Sequence, residues 1–457
     1  MENIDALIEM LEKDSRTKWE NIIFSRKDNI KEILEYMLEI MPSIYDSEEQ
    51  IANFRNYVES DLTLEQIKVC VELEREFEFD YFQVHEIILG FNHGLSVNQV
   101  KVYADSKFMY SQMAEIREGF ENGLTFEQVG VYANCQYAAN QMTEIRNGLQ
   151  SGLSKEQIAL YAKPEFTSDD MKAIRTLFEA GVPLEKVKQY ILIQPRYNFI
   201  ARKEICLGLI HGLSMEKIKI YLDGGYVKNQ IQEIRMGLEA GLDIKKVKMY
   251  ADPKIDPLCM KEIRLGFEHG LSEEQIATYA KPNYSDYKMQ QMRLGFEKGL
   301  NFEQVELYSK FGFNLSQMIK IRVGLENGLS EEQVLVYART EFSEAKMSEI
   351  LNGFLQGLSI EKVKKYADNK FDVTQMRMIC EGFQKGLSFE QIEVVAKPEF
   401  SMWQMEEIIS GFENGLSLEQ VKVYAYVGIT SGEMSDRKRE MIREERTLEN
   451  LIKNILK

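Results

Sequence analysis

The chain has 457 residues, 44% of them hydrophobic and 28% charged, and its formal net charge is −17. That apolar content supports a folded core and excludes wholesale disorder, and the acidic total disfavours a generic nucleic-acid binder, whose footprint is basic. One compact core cannot hold this length, whereas a repeat array can, because each repeat needs only its neighbours for burial.

The N-terminus, MENIDALIEMLEKD, carries acids where a signal peptide needs a basic start followed by an apolar run. No apolar stretch approaches the roughly 18 residues of a membrane span. The cysteines (Cys70, Cys135, Cys206, Cys259 and Cys380) are scattered and form no CxxC, which fits reduced thiols. A cytoplasmic protein is expected, with no membrane partner. Residues 1–46 are predicted to form two or three amphipathic helices, with Leu7, Leu11, Trp19, Ile23, Ile33, Met37 and Met41 apolar: an N-terminal helical cap.

Residues 47–425 are a tandem repeat. A Gly followed by an apolar residue recurs at Gly94, Gly123, Gly152, Gly181, Gly212, Gly241, Gly270, Gly299, Gly328, Gly357, Gly386 and Gly415. Every spacing is 29 residues except Gly181 to Gly212, which is 31. A degenerate earlier copy centres on Asp61, so the region holds about thirteen helical hairpins.

In the Gly123 repeat, Met113, Ile116 and Phe120 are spaced three and four apart, which is one helical face. Gly123 then stands where a helix end takes a left-handed residue. Thr125 and Gln128 form a capping box for a short second helix, whose apolar face holds Val129 and Tyr132. Ser, Thr, Asp or Asn caps this second helix everywhere except at Pro183, and the Tyr position departs only at Val395. Aromatic residues such as Phe108, Tyr137 and Phe400 precede the next helix as hydrophobic staples. A second Gly lies inside the first helix, four residues before the turn Gly, in every repeat but one, where Leu177 replaces it. A mid-helix Gly costs about 1 kcal/mol against Ala, so its recurrence points to a close helix–helix approach that leaves no room for a Cβ.

Residues 426–457 give one long helix over 434–456, with Met441, Leu448, Leu451, Ile452 and Ile455 apolar. It reads as a capping helix, with a dimerisation seam as the alternative. The expected fold is all-α: a right-handed α-solenoid of tandem 29-residue helix–turn–helix repeats with helical N- and C-terminal caps.

The pattern MxEIRxGFExGLSxEQVxxYAxPxF resembles a family of bacterial repeat proteins with units like MxxIRxGLExGLDVxxYAxPxF, and the resemblance covers most of the chain. Tetratricopeptide and ankyrin repeats have longer periods. The resemblance implies a helical repeat array and no particular chemistry. Members are often encoded near mobile genetic elements, which implies a bacterial protein suited to a role such as blocking a host defence protein.

Catalysis is not expected. His85, His93, His211 and His269 lie in separate repeats, and three of them end a first helix, where a cation complements the dipole. No HExxH, GxxxxGK[ST], GxSxG or GxGxxG motif occurs. No cofactor and no metal site are implied.

Two sets of basic residues are candidates for binding. The first is Arg55, Arg117, Arg146, Arg175, Arg235, Arg264, Arg293 and Arg322, each six residues before the repeat centre, often with Glu two positions earlier. Stacked helices would let Arg of one repeat meet Glu of the next, an ion-pair ladder; the alternative is a guanidinium stripe for an acidic ligand. Leu351, Cys380 and Ile409 replace the Arg in the last three repeats. The second set lies in the middle. Residues 181–260 hold 13 Lys/Arg and 9 Asp/Glu, +4 in a chain of −17. Lys186 and Lys188, Lys217 and Lys219, and Lys246 and Lys248 recur as pairs, joined by Arg196, Arg202, Lys203 and Lys245. The two-residue insertion falls here and should bend the array. This stretch suits an acidic protein segment or a nucleic-acid backbone. The function expected is a non-catalytic scaffold with a protein partner, with nucleic-acid or acidic-ligand binding through the middle repeats as the alternative.

Overall fold

A computed structural model describes residues 29–41, 48–309 and 312–455, with side chains as far as 447. Leu7, Leu11, Trp19 and Ile23 of the expected N-terminal cap lie outside the described residues. Among those residues there are 28 α-helices and no strand. The chain divides into two compact units after Ile220.

The first unit opens with a helix at Ile30–Ile40, followed by the degenerate hairpin Glu48–Glu59 and Leu64–Phe77. Regular hairpins follow: Tyr81–Asn92 with Val97–Tyr103, Tyr110–Glu121 with Phe126–Val129, Ala139–Gln150 with Lys155–Tyr161, and Ser168–Glu179 with Leu184–Ile193. The helix Phe199–Ile210 follows, and the unit ends within the helix Met215–Leu222. The second unit runs from Lys228–Glu239 through hairpins of the same kind to Ser431–Ile455. Within each unit the hairpins stack in chain order. First helices pack on first helices, and most second helices pack against both their own first helix and the next.

Local chemistry explains the hairpin. All twelve turn glycines have φ between +76° and +89°, the region an L side chain resists. Gly123 donates its N–H to Phe120 and Leu124 donates to Gly119, so the helix-end carbonyls are satisfied. The second helix starts in a reciprocal box: Thr125 Oγ1 accepts from Gln128 N–H at 3.2 Å, and Gln128 Oε1 accepts from Thr125 N–H at 2.9 Å. Met113, Ile116, Phe120, Val129 and Tyr132 then fill the core.

The inner glycine has a specific neighbour. A Cβ built on Gly119 would lie 1.9 Å from Tyr132 Oη, and the same overlap of 1.9–2.1 Å recurs at Gly90, Gly148, Gly237, Gly266, Gly295, Gly324, Gly353 and Gly411. The close approach is therefore to a tyrosine hydroxyl of the same hairpin. That hydroxyl passes the glycine to donate to a first-helix carbonyl: Tyr103 to Glu86, Tyr279 to Glu262 and Tyr308 to Gln291, at 3.0–3.3 Å. Such a buried hydroxyl needs a partner, and the glycine gives it room to reach one.

The helix Ser431–Ile455 begins as the first helix of a further repeat. Met434 is fully buried, 29 residues after the equivalent Met405.

Candidate interaction surface

The arginine set forms ion pairs between repeats. Arg117 Nε donates to Glu86 Oε2 at 2.8 Å, Arg175 to Glu144 at 2.9 Å, Arg264 to Glu233 at 2.8 Å and Arg293 to Glu262 at 2.8 Å. Arg146 pairs with Glu115 and Glu118, and Arg322 donates to Gln291 at 3.0 Å. The other edge of most guanidiniums holds a glutamate one turn on: Glu121, Glu179, Glu239, Glu268, Glu297 and Glu326. His93 and His269 extend the network to Glu121 and Glu297 at 2.8 and 2.7 Å, so these histidines meet carboxylates of the next repeat as well as a helix end. Arg264 and Arg293 side chains are only 5% and 7% exposed. Buried charges of this kind require a full set of partners.

At two of the three positions that lose the arginine its partner changes too; at the third, Cys380, Glu349 remains and pairs with Arg377 at 2.6 Å. Where Arg becomes Leu351, the position 31 residues earlier is Lys320; where it becomes Ile409, that position is Met378. Ile409 and Met378 are both buried, so an apolar pair replaces the ionic one. Lys438 restores the charge pair, reaching Glu407 at 2.5 Å.

A glutamine clip joins repeats as well. Gln112 Oε1 accepts from Met109 N–H, while its Nε2 donates to Cys135 O at 3.2 Å and Tyr137 O at 2.6 Å in the following loop. Gln83, Gln141, Gln230, Gln317 and Gln375 do the same.

Both links between repeats, and the tyrosine–glycine contact inside the hairpin, fail at one seam, between the helices Ser168–Glu179 and Phe199–Ile210. Ala173 and Cys206 stand at the Glu and Arg positions. Asp170, too short to clip the loop, instead pairs with Arg202 at 2.6 Å. Leu177 puts a Cβ where the Tyr190 hydroxyl would sit, and this hydroxyl, fully buried, has no hydrogen-bond partner of ordinary geometry; the Cys206 thiol lies beside it. Burial pushes both Tyr190 and Cys206 upward from their ordinary pKa values. The two inserted residues lengthen the second helix to Leu184–Ile193 and add a 3-10 turn at Gln194–Arg196. A cavity of about 490 Å³ opens between the two first helices.

The lysine-rich stretch is divided by the unit boundary. Lys186, Lys188, Arg196, Arg202, Lys203, Lys217 and Lys219 belong to the first unit; Lys245, Lys246 and Lys248 belong to the second. Several have local partners. Lys186 Nζ donates to Gly212 O and Leu213 O, Lys188 pairs with Glu185, Lys245 pairs with Glu273, and Lys246 lies over the Phe267 ring. Arg196, Lys203, Lys219 and Lys248 are exposed. The structure therefore brings Arg202 and Lys203 to the seam.

The surface also carries an aromatic cluster that residue type alone does not flag. Tyr81, Phe82, Met109 and Tyr110 are 56%, 58%, 67% and 47% exposed. The Tyr81–Phe82 and Phe82–Tyr110 ring centroids lie 5.5 and 5.2 Å apart. Leu192, Phe199 and Ile200 form a second exposed apolar group beside the seam. Among the described residues no group of His, Cys, Asp and Glu could hold a metal ion, and no helix is long and apolar enough to cross a membrane.

No protein-family model and no curated protein matches this chain. The functional reading rests on the site itself.

Proposed function

We propose that this protein is a non-catalytic α-solenoid scaffold that binds another protein, with Tyr81, Phe82 and Tyr110 as anchor residues. The observation that carries the reading is the contrast between interior and surface. Inside the stack, Arg meets Glu of the neighbouring repeat, Gln clips the following loop and Tyr reaches a carbonyl of its own hairpin. Outside it, an edge-on and tilted trio of rings faces solvent, and exposed aromatic clusters of this kind anchor protein interfaces. The lysines of the middle repeats supply charge complementary to an acidic segment of the partner. The resemblance to mobile-element repeat proteins suits a partner drawn from host defence.

The test is a tagged pull-down from a bacterial lysate, with and without nuclease, using wild type and Phe82→Ala/Tyr110→Ala. A protein retained after nuclease and lost in the variant supports the scaffold. Recovery of nucleic acid alone, released steeply by salt and abolished by reversing the six paired lysines, replaces it with the nucleic-acid reading, which the exposed Lys203, Lys219 and Lys248 favour.

A further inference from the structure

We propose that the seam cavity is a binding site for a small amphipathic anion: an apolar, ring-sized body bearing one anionic group. Four observations support it, and none depends on the protein-binding surface.

The first is volume. About 490 Å³ falls within the roughly 300–1,000 Å³ of small-molecule sites. The second is lining. Phe199, Leu207, Ile210 and Ala173 give apolar walls, as such sites require.

The third is an orphan donor. Tyr190 lines the cavity, completely buried, and its hydroxyl has no partner of ordinary geometry, only the Cys206 thiol beside it. Eight other repeats give this hydroxyl a backbone carbonyl. Tyr366 shows that a cysteine at the Arg position is insufficient to make a site. Its hydroxyl is also unmatched and lies beside the Cys380 thiol, but Gly353 is retained there and Glu349 pairs with Arg377. Of these two tyrosines, Tyr190 lines the seam cavity, together with the Cys206 thiol that lies beside its hydroxyl.

The fourth is charge. Asp170 and Arg202 neutralise each other. Of the remaining charges at the rim, Lys172 and Lys203 outnumber Asp169, and neither ammonium has an ion-pair partner among the described residues. An anionic group at the rim and a hydrogen-bond acceptor deeper, once the Cys206 side chain turns aside, would satisfy both.

The probe is anilinonaphthalene sulfonate, an aromatic body with one sulfonate, titrated by fluorescence into the full chain. Two variants are compared. Ala173→Glu/Cys206→Arg reinstates the ion pair of the regular repeats and fills the cavity. Lys172→Glu/Lys203→Glu alters only exposed side chains, so the fold is kept even if the filled variant misassembles. The expected result is one saturable site, weakened at least tenfold by filling and at least fivefold by charge reversal. The neutral analogue N-phenylnaphthylamine should bind the charge-reversed chain within twofold of wild type. Saturating probe should also slow alkylation of Cys206 at least fivefold while leaving the exposed Cys135 unchanged. Absence of a saturable site, equal sulfonate affinity in the charge-reversed chain, or unprotected Cys206 overturns the proposal.

Discussion

Replacing an exposed mid-helix glycine with alanine ordinarily stabilises a helix by about 1 kcal/mol. Gly266→Ala should do the reverse. Its new Cβ would lie 2.0 Å from Tyr279 Oη and 2.5 Å from Ile276 Cδ1, where about 3.5 Å is the closest comfortable contact. Tyr279 must move by more than an ångström, and its bond to Glu262 O at 3.3 Å breaks. A buried hydroxyl left unmatched costs about 1–3 kcal/mol, and overpacking adds about 1–3 kcal/mol. After the helical gain, a net loss of about 3 kcal/mol remains. Repeat arrays unfold piecewise, so the assay is hydrogen exchange resolved to the Gly266 hairpin, backed by urea unfolding of the full chain. Gly266→Ala/Tyr279→Phe removes the clashing oxygen and should recover more than half the loss, a coupling well above the error of a double-mutant cycle. A single variant as stable as wild type, or no recovery in the double variant, would show that the tyrosine hydroxyl does not dictate the glycine.

Other expectations follow from the same contacts. Tyr279→Phe should cost about 1 kcal/mol by losing a hydrogen bond, whereas Tyr190→Phe should be neutral or stabilising because its hydroxyl has none; equal losses in the two melting curves would contradict the seam description. Arg293→Leu should cost about 3–5 kcal/mol by stranding the buried Glu262, and adding Glu262→Met should restore most of it, since Ile409 and Met378 already stand at these two positions elsewhere in the chain; an unrescued double variant under urea would count against the ladder. Glu74 is 2% exposed, and burial raises its carboxyl to about 7 against partial relief from Asn53 and Tyr57. The folded state thus holds this proton more tightly than the unfolded state, so the Glu74 contribution is present below about pH 4.3 and is lost as pH rises through 7, by up to about 4 kcal/mol. Urea midpoints of wild type and Glu74→Gln should converge at pH 4.5 and separate by pH 8, with the variant more stable; parallel curves would refute the assignment.

Much of the hairpin was legible because its signals are local. The turn glycines, the boxes such as Thr125 with Gln128, and the Met113–Ile116–Phe120 face each act within about one helical turn. The Arg–Glu ladder was legible because both partners are side chains recurring at fixed spacing. Gln112 was not, because its acceptors are the carbonyls of Cys135 and Tyr137, which any residue would supply. The reason for the inner glycine was half legible: residue type shows that a Cβ is excluded, while the excluding atom, a tyrosine oxygen thirteen residues on, appears only in three dimensions. The insertion at the seam was plain in the spacing. Its consequence needed Ala173, Tyr190 and Cys206 to be seen facing one space. The lysine-rich stretch read as one patch by sequence proximity, but several of its members have partners of their own.

Tandem repeats face a hazard that unique folds do not: a face shaped to receive the next copy could as well receive another molecule, and such head-to-tail contacts do not close. The helix Ser431–Ile455 meets this at one end of the series. It presents Met434 and Lys438 as a genuine successor would, with Lys438 ion-paired to Glu407 and donating to Ser410 Oγ, and then abandons the motif, with Glu440 and Glu444 where the inner and turn glycines would fall. With no turn to make a second helix, it runs straight on. A second molecule would have to prise Lys438 from Glu407 before it could dock there, so this end of the repeat series is a chain terminator in the polymer chemist's sense.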